Sequence, residues 1–556
     1  MRHVTKRYRD IARYTILSLP LVFLLVFYLY PLGAILSRSA SLGATPVQWR
    51  YLARLLWFTT WQAALSTLLT LALGLPGAHL FARYRFPGRS LLQALTTIPF
   101  VMPTLIVATA FLALIGPNGV LNSALMRAFH LADPPLDLQH SIWIILLAHV
   151  FYNYSVVLRV VGSFWGSLDP RLEEAARTLG AGRWRAWWEV TLPRLMPAIA
   201  ASALLVFQFC FTSFGVIVVL GGPRFATIEV EIYRQAAHLL NLPVAALLSA
   251  IQLAFSFGVM SVYTRVQRRT ARPLDYRSRR VVQTTARTWR ARLWIAANAS
   301  WMTVLLLAPL GALVWRSLTL EGEPTLRYYR ALSEDPGRSY FYTAPAVAIR
   351  NSLLFAGATV ALSLALGTLG AYLLTSQGRR MRRTVAWLDP LLVLPLGTSA
   401  VTLGFGYLIA FNRPPLNLIT SPFLVPVAHA LIAFPFVLRS VLPALRGIRP
   451  SVREAASALG STPIRVWWSI DLPLIARSLA VGAVFAFTMS IGEFGATLLI
   501  ARREYATIPV AIYRYLSQPG VMNIGQALAM STLLMGICAA SFVLIERFQV
   551  GELGSF

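Results

Sequence analysis

The sequence predicts an all-α polytopic membrane protein of about twelve transmembrane helices, laid out as two tandem six-helix repeats. Three observations carry that prediction. The 556 residues are 57% hydrophobic and only 13% charged, with positive mean hydropathy, which is too apolar for a chain that must keep a polar shell in water. The apolar residues gather into stretches of about 20, the length at which a helix crosses a bilayer. A shift of 280 residues then lays the second half of the chain over the first.

Taken in order, the first run, 14–37, follows Arg2, Lys6, Arg7, Arg9 and Arg13. A basic cluster before an apolar run also begins a secretory signal, but a signal core is only about 7–15 residues, so this run reads as an uncleaved first helix. The spans 57–82, 93–116, 141–163, 195–221 and 242–265 follow, several containing the Gly and Pro that membrane helices tolerate. After a basic segment come 293–316, 349–375, 384–411, 423–442, 474–500 and 522–546. The expected division is a first transmembrane domain 1–265, a basic linker 266–292 and a second transmembrane domain 293–556.

Orientation follows from the gaps. Arg83, Arg85 and Arg89 come after the second span, Arg171, Arg177, Arg183 and Arg185 after the fourth, and Arg379, Arg380, Arg382 and Arg383 after the eighth. The gap after the sixth is richer still, with Arg265, Arg268, Arg269, Arg272, Arg277, Arg279, Arg280, Arg287, Arg290 and Arg292. Odd-numbered gaps hold fewer arginines and more acids: Asp133, Asp137, Glu229, Glu231, Glu321, Glu323, Glu334 and Asp335. Both termini are therefore expected on the cytoplasmic side. The linker is read as a connection between halves, with lipid contact by its basic residues as the alternative.

The same distribution excludes other classes. A net charge of +29 and a pI near 11.2 would suit a nucleic-acid binder, but such a protein gathers its basic residues on a soluble surface, so no nucleic-acid partner is expected. Cys210 and Cys538 lie in separate apolar runs and suggest neither a disulfide framework nor a metal site. Lys6 is the only lysine, so no G-x-x-x-x-G-K-[ST] phosphate loop can be written and any ATP hydrolysis must come from a partner. The histidines form no H-E-x-x-H, and there is no Gly-x-Ser-x-Gly elbow or carboxylate pair, so no catalytic residue is assigned.

The repeat is densest between 170–193 and 450–473, where 11 of 24 positions are identical. The shift also matches Ala148-His149 with Ala428-His429, Phe214-Gly215 with Phe494-Gly495, and Ile232-Tyr233-Arg234 with Ile512-Tyr513-Arg514. Parallel repeats with an even number of helices place a pseudo-two-fold axis along the membrane normal and a pathway at their interface. The first dense segment reads Glu174-Ala175-Ala176, three residues, Gly180, nine residues, Val190-Thr191-Leu192-Pro193. The second reads Glu454-Ala455-Ala456, three residues, Gly460, nine residues, Ile470-Asp471-Leu472-Pro473.

Both copies resemble the EAA loop, E-A-A-x3-G-x9-I-x-L-P, of binding-protein-dependent ABC importer permeases. The resemblance implies a type I (MetI-like) permease with both halves fused, in a bacterial inner membrane, moving substrate by ATP-driven alternating access. It implies as partners a homodimer of ATPase subunits, which would hold ATP and Mg2+, and a periplasmic or lipid-anchored binding protein, with membrane lipid around the chain. No cofactor is expected in this chain itself. In that family the loop forms a short coupling helix on the ATPase. The residues fit: Pro170 or Pro450 presets entry, Glu174 or Glu454 is expected in the first turn where the helix dipole favours a carboxylate, and Gly180 or Gly460 to end it in the left-handed conformation. The Trp187-Trp188 and Trp467-Trp468 pairs suit an interfacial return. An ordinary amphipathic surface helix would not explain the same spacing twice.

Beyond each loop lies a helix ending in a small, aromatic cluster, Ser213-Phe214-Gly215 and Gly492-Glu493-Phe494-Gly495. Glu493 is read either as a pathway residue or buried pair, or as a solvated acid at the membrane boundary. Asn153, Tyr154 and Gln208 are candidate path-lining residues or interhelical hydrogen-bonding groups. The stretch from Phe214 through Leu220-Gly221-Gly222-Pro223 to Tyr233 is similar to thiamine permeases, which points to thiamine, with ferric iron as the alternative. A twelve-helix secondary transporter would share the helix count but gives no reason for two EAA loops.

Overall fold

A computed structural model of the chain describes residues 18–40, 48–270, 283–320, 322–334, 344–375, 382–412, 414 and 416–549. The N-terminal Arg2, Lys6, Arg7, Arg9 and Arg13, the linker residues Arg272, Arg277, Arg279 and Arg280, and Glu321, Asp335, Arg379 and Arg380 lie outside the described residues.

The chain is an all-α polytopic membrane protein. Among the described residues eleven helices are long and apolar enough to cross a bilayer, or twelve when one sharply bent pair is taken as a single span. The first half holds α1 (Ser18–Ala40), α2 (Trp49–Arg83), α3 (Arg89–Val101), α4 (Thr104–Ile115), α5 (Val120–Phe129) and α6 (Ile142–Ser167). There follow the short α7 (Arg171–Thr178), then α8 (Arg183–Phe211), α9 (Gly215–Leu220), α10 (Ile228–Tyr233) and α11 (Leu242–Thr270). The second half repeats the plan with α12 (Trp289–Ser317), α13 (Pro345–Thr375), α14 (Arg382–Val393), α15 (Ala400–Ala410) and α16 (Leu424–Gly447). It ends with the short α17 (Pro450–Ala458), α18 (Pro463–Ile491), α19 (Gly495–Ile500), α20 (Ile508–Leu516) and α21 (Val521–Gln549).

Four of the expected spans are not continuous rods. The third breaks at Met102-Pro103, where Pro103 forces an extended backbone between α3 and α4, and the apolar span that starts at Thr104 continues through a turn at 116–119 into α5, ending at Phe129. Its counterpart, the ninth, bends by 99° between Gly397 and Ala400, and Ser399 Oγ caps α15 by accepting from the N–H groups of Val401 (3.1 Å) and Thr402 (3.3 Å). The fifth and eleventh likewise end before Ser213 and Glu493, and short helices α9 and α19 restart beyond them. The acids of the fifth gap are not in a solvated loop: Glu229 and Glu231 are fully buried on α10, with Tyr51 donating to Glu231 (2.8 Å) and Gln252 hydrogen-bonded to Glu229.

By packing, the chain divides into two compact units, one of Met1–Thr45, Ile232–Ala250 and Tyr329–Phe556, the other of Pro46–Glu231 and Ile251–Tyr328. The sequence repeat and the packing units thus differ in where they put the first helix of each half. In the first unit α1 lies on α15: Tyr28, fully buried, has its hydroxyl 2.6 Å from Thr398 at the bend, and Phe27 meets Phe411 at 5.7 Å. In the second, α12 lies over α4 and α2, bringing Trp294 beside His79. Each unit is centred on one close helix pair, α2 with α6 and α13 with α16. A side chain at Gly74 or Gly367 would stand within 3 Å of Val157 or Val437, so only glycine lets these backbones approach. The far end of the basic linker is held in the second unit, where β1 (Tyr84–Arg85) pairs parallel with β2 (Thr284–Thr285) and Arg89 donates to Gln283 (2.9 Å).

Candidate functional site

The two copies of the densest repeat fold alike. Helices α7 and α17 carry the same run of exposure, in which only Glu173 and Ala176, or Arg453 and Ala456, are half-buried. Residues three apart share a helix face, so these pairs form the inward stripe. Glu174, Ala175, Glu454 and Ala455 face outward, exposed. Glu173 and Glu174 lie in the first turn of α7, where the unpaired N–H groups favour negative charge. Glu454 falls just past the first turn of α17, contrary to expectation, because that helix begins one residue earlier, with Pro450 inside it.

Both helices end in the same way. Gly180 has φ +91° and Gly460 φ +81°. The N–H of Gly180 donates to Arg177 O (3.1 Å) and that of Ala181 to Ala176 O (3.0 Å); Gly460 and Ser461 repeat the two bonds to Ser457 and Ala456, both at 3.0 Å. This is a Schellman cap, whose left-handed residue carries a steric penalty for any side chain. Leu179 and Leu459, just before the glycines, are 90% and 87% exposed.

The return into the apolar helix is also duplicated. Trp187–Thr191 and Trp467–Asp471 are π-helical turns, each followed by Leu-Pro. Proline has no N–H and its ring strikes the carbonyl four residues back, so the turn widens by one residue: Leu192 N–H bonds Trp187 O and Leu472 N–H bonds Trp467 O. Within each turn the paired tryptophans meet edge to face, at 5.0 and 4.8 Å.

The inward stripe is bonded to the helices behind it. Thr191 Oγ1 donates to Glu173 Oε2 (3.1 Å), and Arg83, the last residue of α2, stands 3.9 Å from the same oxygen. In the second half Arg453 Nε donates to Asp471 Oδ1 (2.8 Å), and Tyr372, in the last turn of α13, donates to Asp471 Oδ2 (2.7 Å). Equivalent helix and turn positions thus make equivalent bridges, with the sign of the charge on the exposed helix reversed. Neither pair was singled out from the sequence, although the signal was there: between the copies, Glu and Thr change together to Arg and Asp.

The remaining sequence-derived site residues, Asn153, Tyr154, Gln208, Ser213, Phe214, Glu493 and Phe494, are all buried. Glu493 is 8% exposed, which removes the reading of a solvated boundary acid. Its carboxylate accepts from the N–H groups of Ala496 (2.9 Å) and Thr497 (3.0 Å) and from the Thr497 hydroxyl, so it caps α19. His429 Nε2 approaches the same carboxylate at 3.3 Å and Thr497 Oγ1 at 2.7 Å. Since that hydroxyl spends its hydrogen on Glu493, Nε2 must carry a hydrogen. His429 Nδ1 lies 2.8 Å from Ser490 Oγ. In the first half His149 holds the equivalent place, between Ser66 and Ser213 at 2.9 Å each. Asn153 joins this cluster by donating to His149 O (3.0 Å) and Cys210 Sγ (3.4 Å). Tyr154 faces Gly77 instead, Gln208 is buried near the end of α8, and the Phe494 ring meets that of Tyr513 at a tilt of 58°, centroids 5.5 Å apart. The two histidines, visible in the sequence as matched positions of the repeat, are the residues that organise both clusters.

Residues 70–272 match the family model described as binding-protein-dependent transport system inner membrane component. The chain is 27% identical to a thiamine transport system permease protein of Brucella abortus over 91% of its length and 89% of the relative's. It is likewise 27% identical to that of Salmonella typhimurium over 92% of both, and to a probable ABC transporter permease protein of Sinorhizobium fredii over 96% and 95%. Among solved structures, a bacterial ABC transporter involved in the import of the acidic polysaccharide alginate matches at TM-score 0.39 and 19% identity, over 49% of this chain and all of that one.

Proposed function

Starting from a chain that belongs to the binding-protein-dependent transport permeases, with two permease halves fused in one polypeptide, we propose that it imports thiamine by ATP-driven alternating access. In this reading α7 and α17 are coupling helices, each seated on one subunit of an ATPase homodimer that holds ATP and Mg2+. Closure of that dimer pushes both helices, and the bundles rock so that a central path opens to a loaded periplasmic or lipid-anchored binding protein. Hydrolysis resets them. The chain is then the bistable element whose equilibrium nucleotide and binding protein both bias, while the hydrolysis takes place on its partner. Both termini would be cytoplasmic in a bacterial inner membrane, as the arginine distribution favours.

The observation that carries the reading is the pair of exposed helices, identical in exposure pattern and in left-handed glycine cap although they lie in different halves of the chain. Two equal docking elements are what a symmetric partner requires. Thiamine rests on the relatives, which are named as thiamine permeases and align over nine-tenths of the chain. The test is ATPase activity of the reconstituted chain and its ATPase partner, with binding protein loaded either with thiamine or with ferric iron. Stimulation by the thiamine-loaded form is expected. Stimulation only by the iron-loaded form would overturn the substrate, and uptake driven by an ion gradient without an ATPase would overturn the coupling.

A further inference from the structure

We propose that the two inward bridges, Glu173 with Thr191 and Arg83, and Arg453 with Asp471 and Tyr372, are the tethers through which each exposed helix moves its own transmembrane bundle. The proposal rests on the coupling reading above and names the residues that transmit it.

Each bridge joins three elements at one point: the exposed helix, the π turn at the foot of α8 or α18, and the last turn of α2 or α13. Around Gly180, Gly182 and Gly460 there is open space on the Cβ side, so no contact at these glycines passes on a push from the end of either helix. The bridges do. They attach at buried groups, Thr191 at 5% and Asp471 at 4% exposure, where a polar contact is shielded from competing water. Glu173 also borders a crevice lined by Leu172, Val190 and Arg194, so the contact sits where the helix meets the bundle.

The two tethers differ in strength. Asp471 is engaged through both oxygens, by a guanidinium at 2.8 Å and a phenol at 2.7 Å. Glu173 uses one oxygen, with a hydroxyl at 3.1 Å and a guanidinium at 3.9 Å. Short charge-assisted bonds are the stronger kind, and leaving a buried charge without its partner is the costlier loss. The second half should therefore carry more of the transmitted motion.

These are positioning residues, so the readout is thiamine molecules moved per ATP hydrolysed by the full chain reconstituted with its ATPase and thiamine-loaded binding protein. Asp471→Ala is expected to lower that ratio about tenfold and Thr191→Ala about twofold, with assembled complex still recovered. Arg453→Glu alone sets two acids together and should fail similarly. Arg453→Glu with Asp471→Thr installs the first-half pair in the second half and should restore the ratio to within about threefold. If Asp471→Ala does not assemble, Asp471→Asn takes its place, with an expected loss of about threefold or more. An unchanged ratio in the Asp471 variant, or no recovery in the double variant, overturns the tether. A Gly460→Val control separates the two ideas: if it lowers the ratio while Asp471 variants do not, coupling stands and the tether falls; if neither does, the coupling reading itself has failed.

Discussion

Glu493 shows how a single residue changes meaning once its donors are located. An acid beside an apolar run is costly unless paired, and here two backbone N–H groups, the Thr497 hydroxyl and His429 Nε2 converge on it. Glu493→Gln keeps the shape but turns one acceptor into a donor facing other donors. That change, and His429→Ala, should each lower stability by about 3 kcal/mol, read as a fall in the detergent melting temperature and in membrane yield. If Glu493→Gln instead leaves the melting temperature unchanged and raises only the KM for thiamine uptake, the residue acts on substrate and not as a cap. The glycines make a second prediction at this scale. Valine at both Gly180 and Gly460 costs about 1–2 kcal/mol per site in the left-handed region, enough to unwind an eight- or nine-residue helix end. Uptake should be lost while the chain remains in the membrane; wild-type uptake in the double variant would remove both helices from the mechanism.

At the scale of elements, three π turns share one cause. Leu25–Leu29, Trp187–Thr191 and Trp467–Asp471 each precede a residue and then a proline, Pro31, Pro193 or Pro473. In each, the residue before the proline bonds five positions back, because widening the turn moves aside the carbonyl that the ring would strike. The same widening sets the rotation at which Thr191 and Asp471 meet the inward stripe. Alanine at Pro193 and Pro473 gives back the N–H and lets the turn tighten, which should rotate the loop away from α8 and α18. Thiamine moved per ATP should fall several-fold although local helix stability rises; an unchanged ratio would show that the turn's width does not matter to coupling.

For the molecule as a whole, packing does not follow the order of the chain. Helix α1 belongs to the unit of Tyr329–Phe556, and α12 to the unit of Pro46–Glu231. Tyr28 is the pin of the first exchange, filling the bend at Thr398. Removing α1, or making Tyr28→Ala at a cost of about 3–5 kcal/mol, should therefore expose α15 and its neighbours to protease in the second half of the sequence while fragments of α2 to α8 stay protected. Protection lost first from the first half would overturn that assignment of α1.

Much of this was legible in one dimension. Hydropathy located the spans because a bilayer demands long apolar helices wherever they pack. The repeat located both loops, and glycine at the loop's end foretold the positive φ, since that conformation depends on one residue's own backbone. The breaks before Ser213 and Glu493, the partner of each first helix, the burial of Glu493 and the reversed bridges were decided only by the tertiary structure. Each depends on which side chains meet across helices distant in sequence, and one-dimensional periodicity carries no record of which apolar face meets which, nor of where the donors for a buried carboxylate come from.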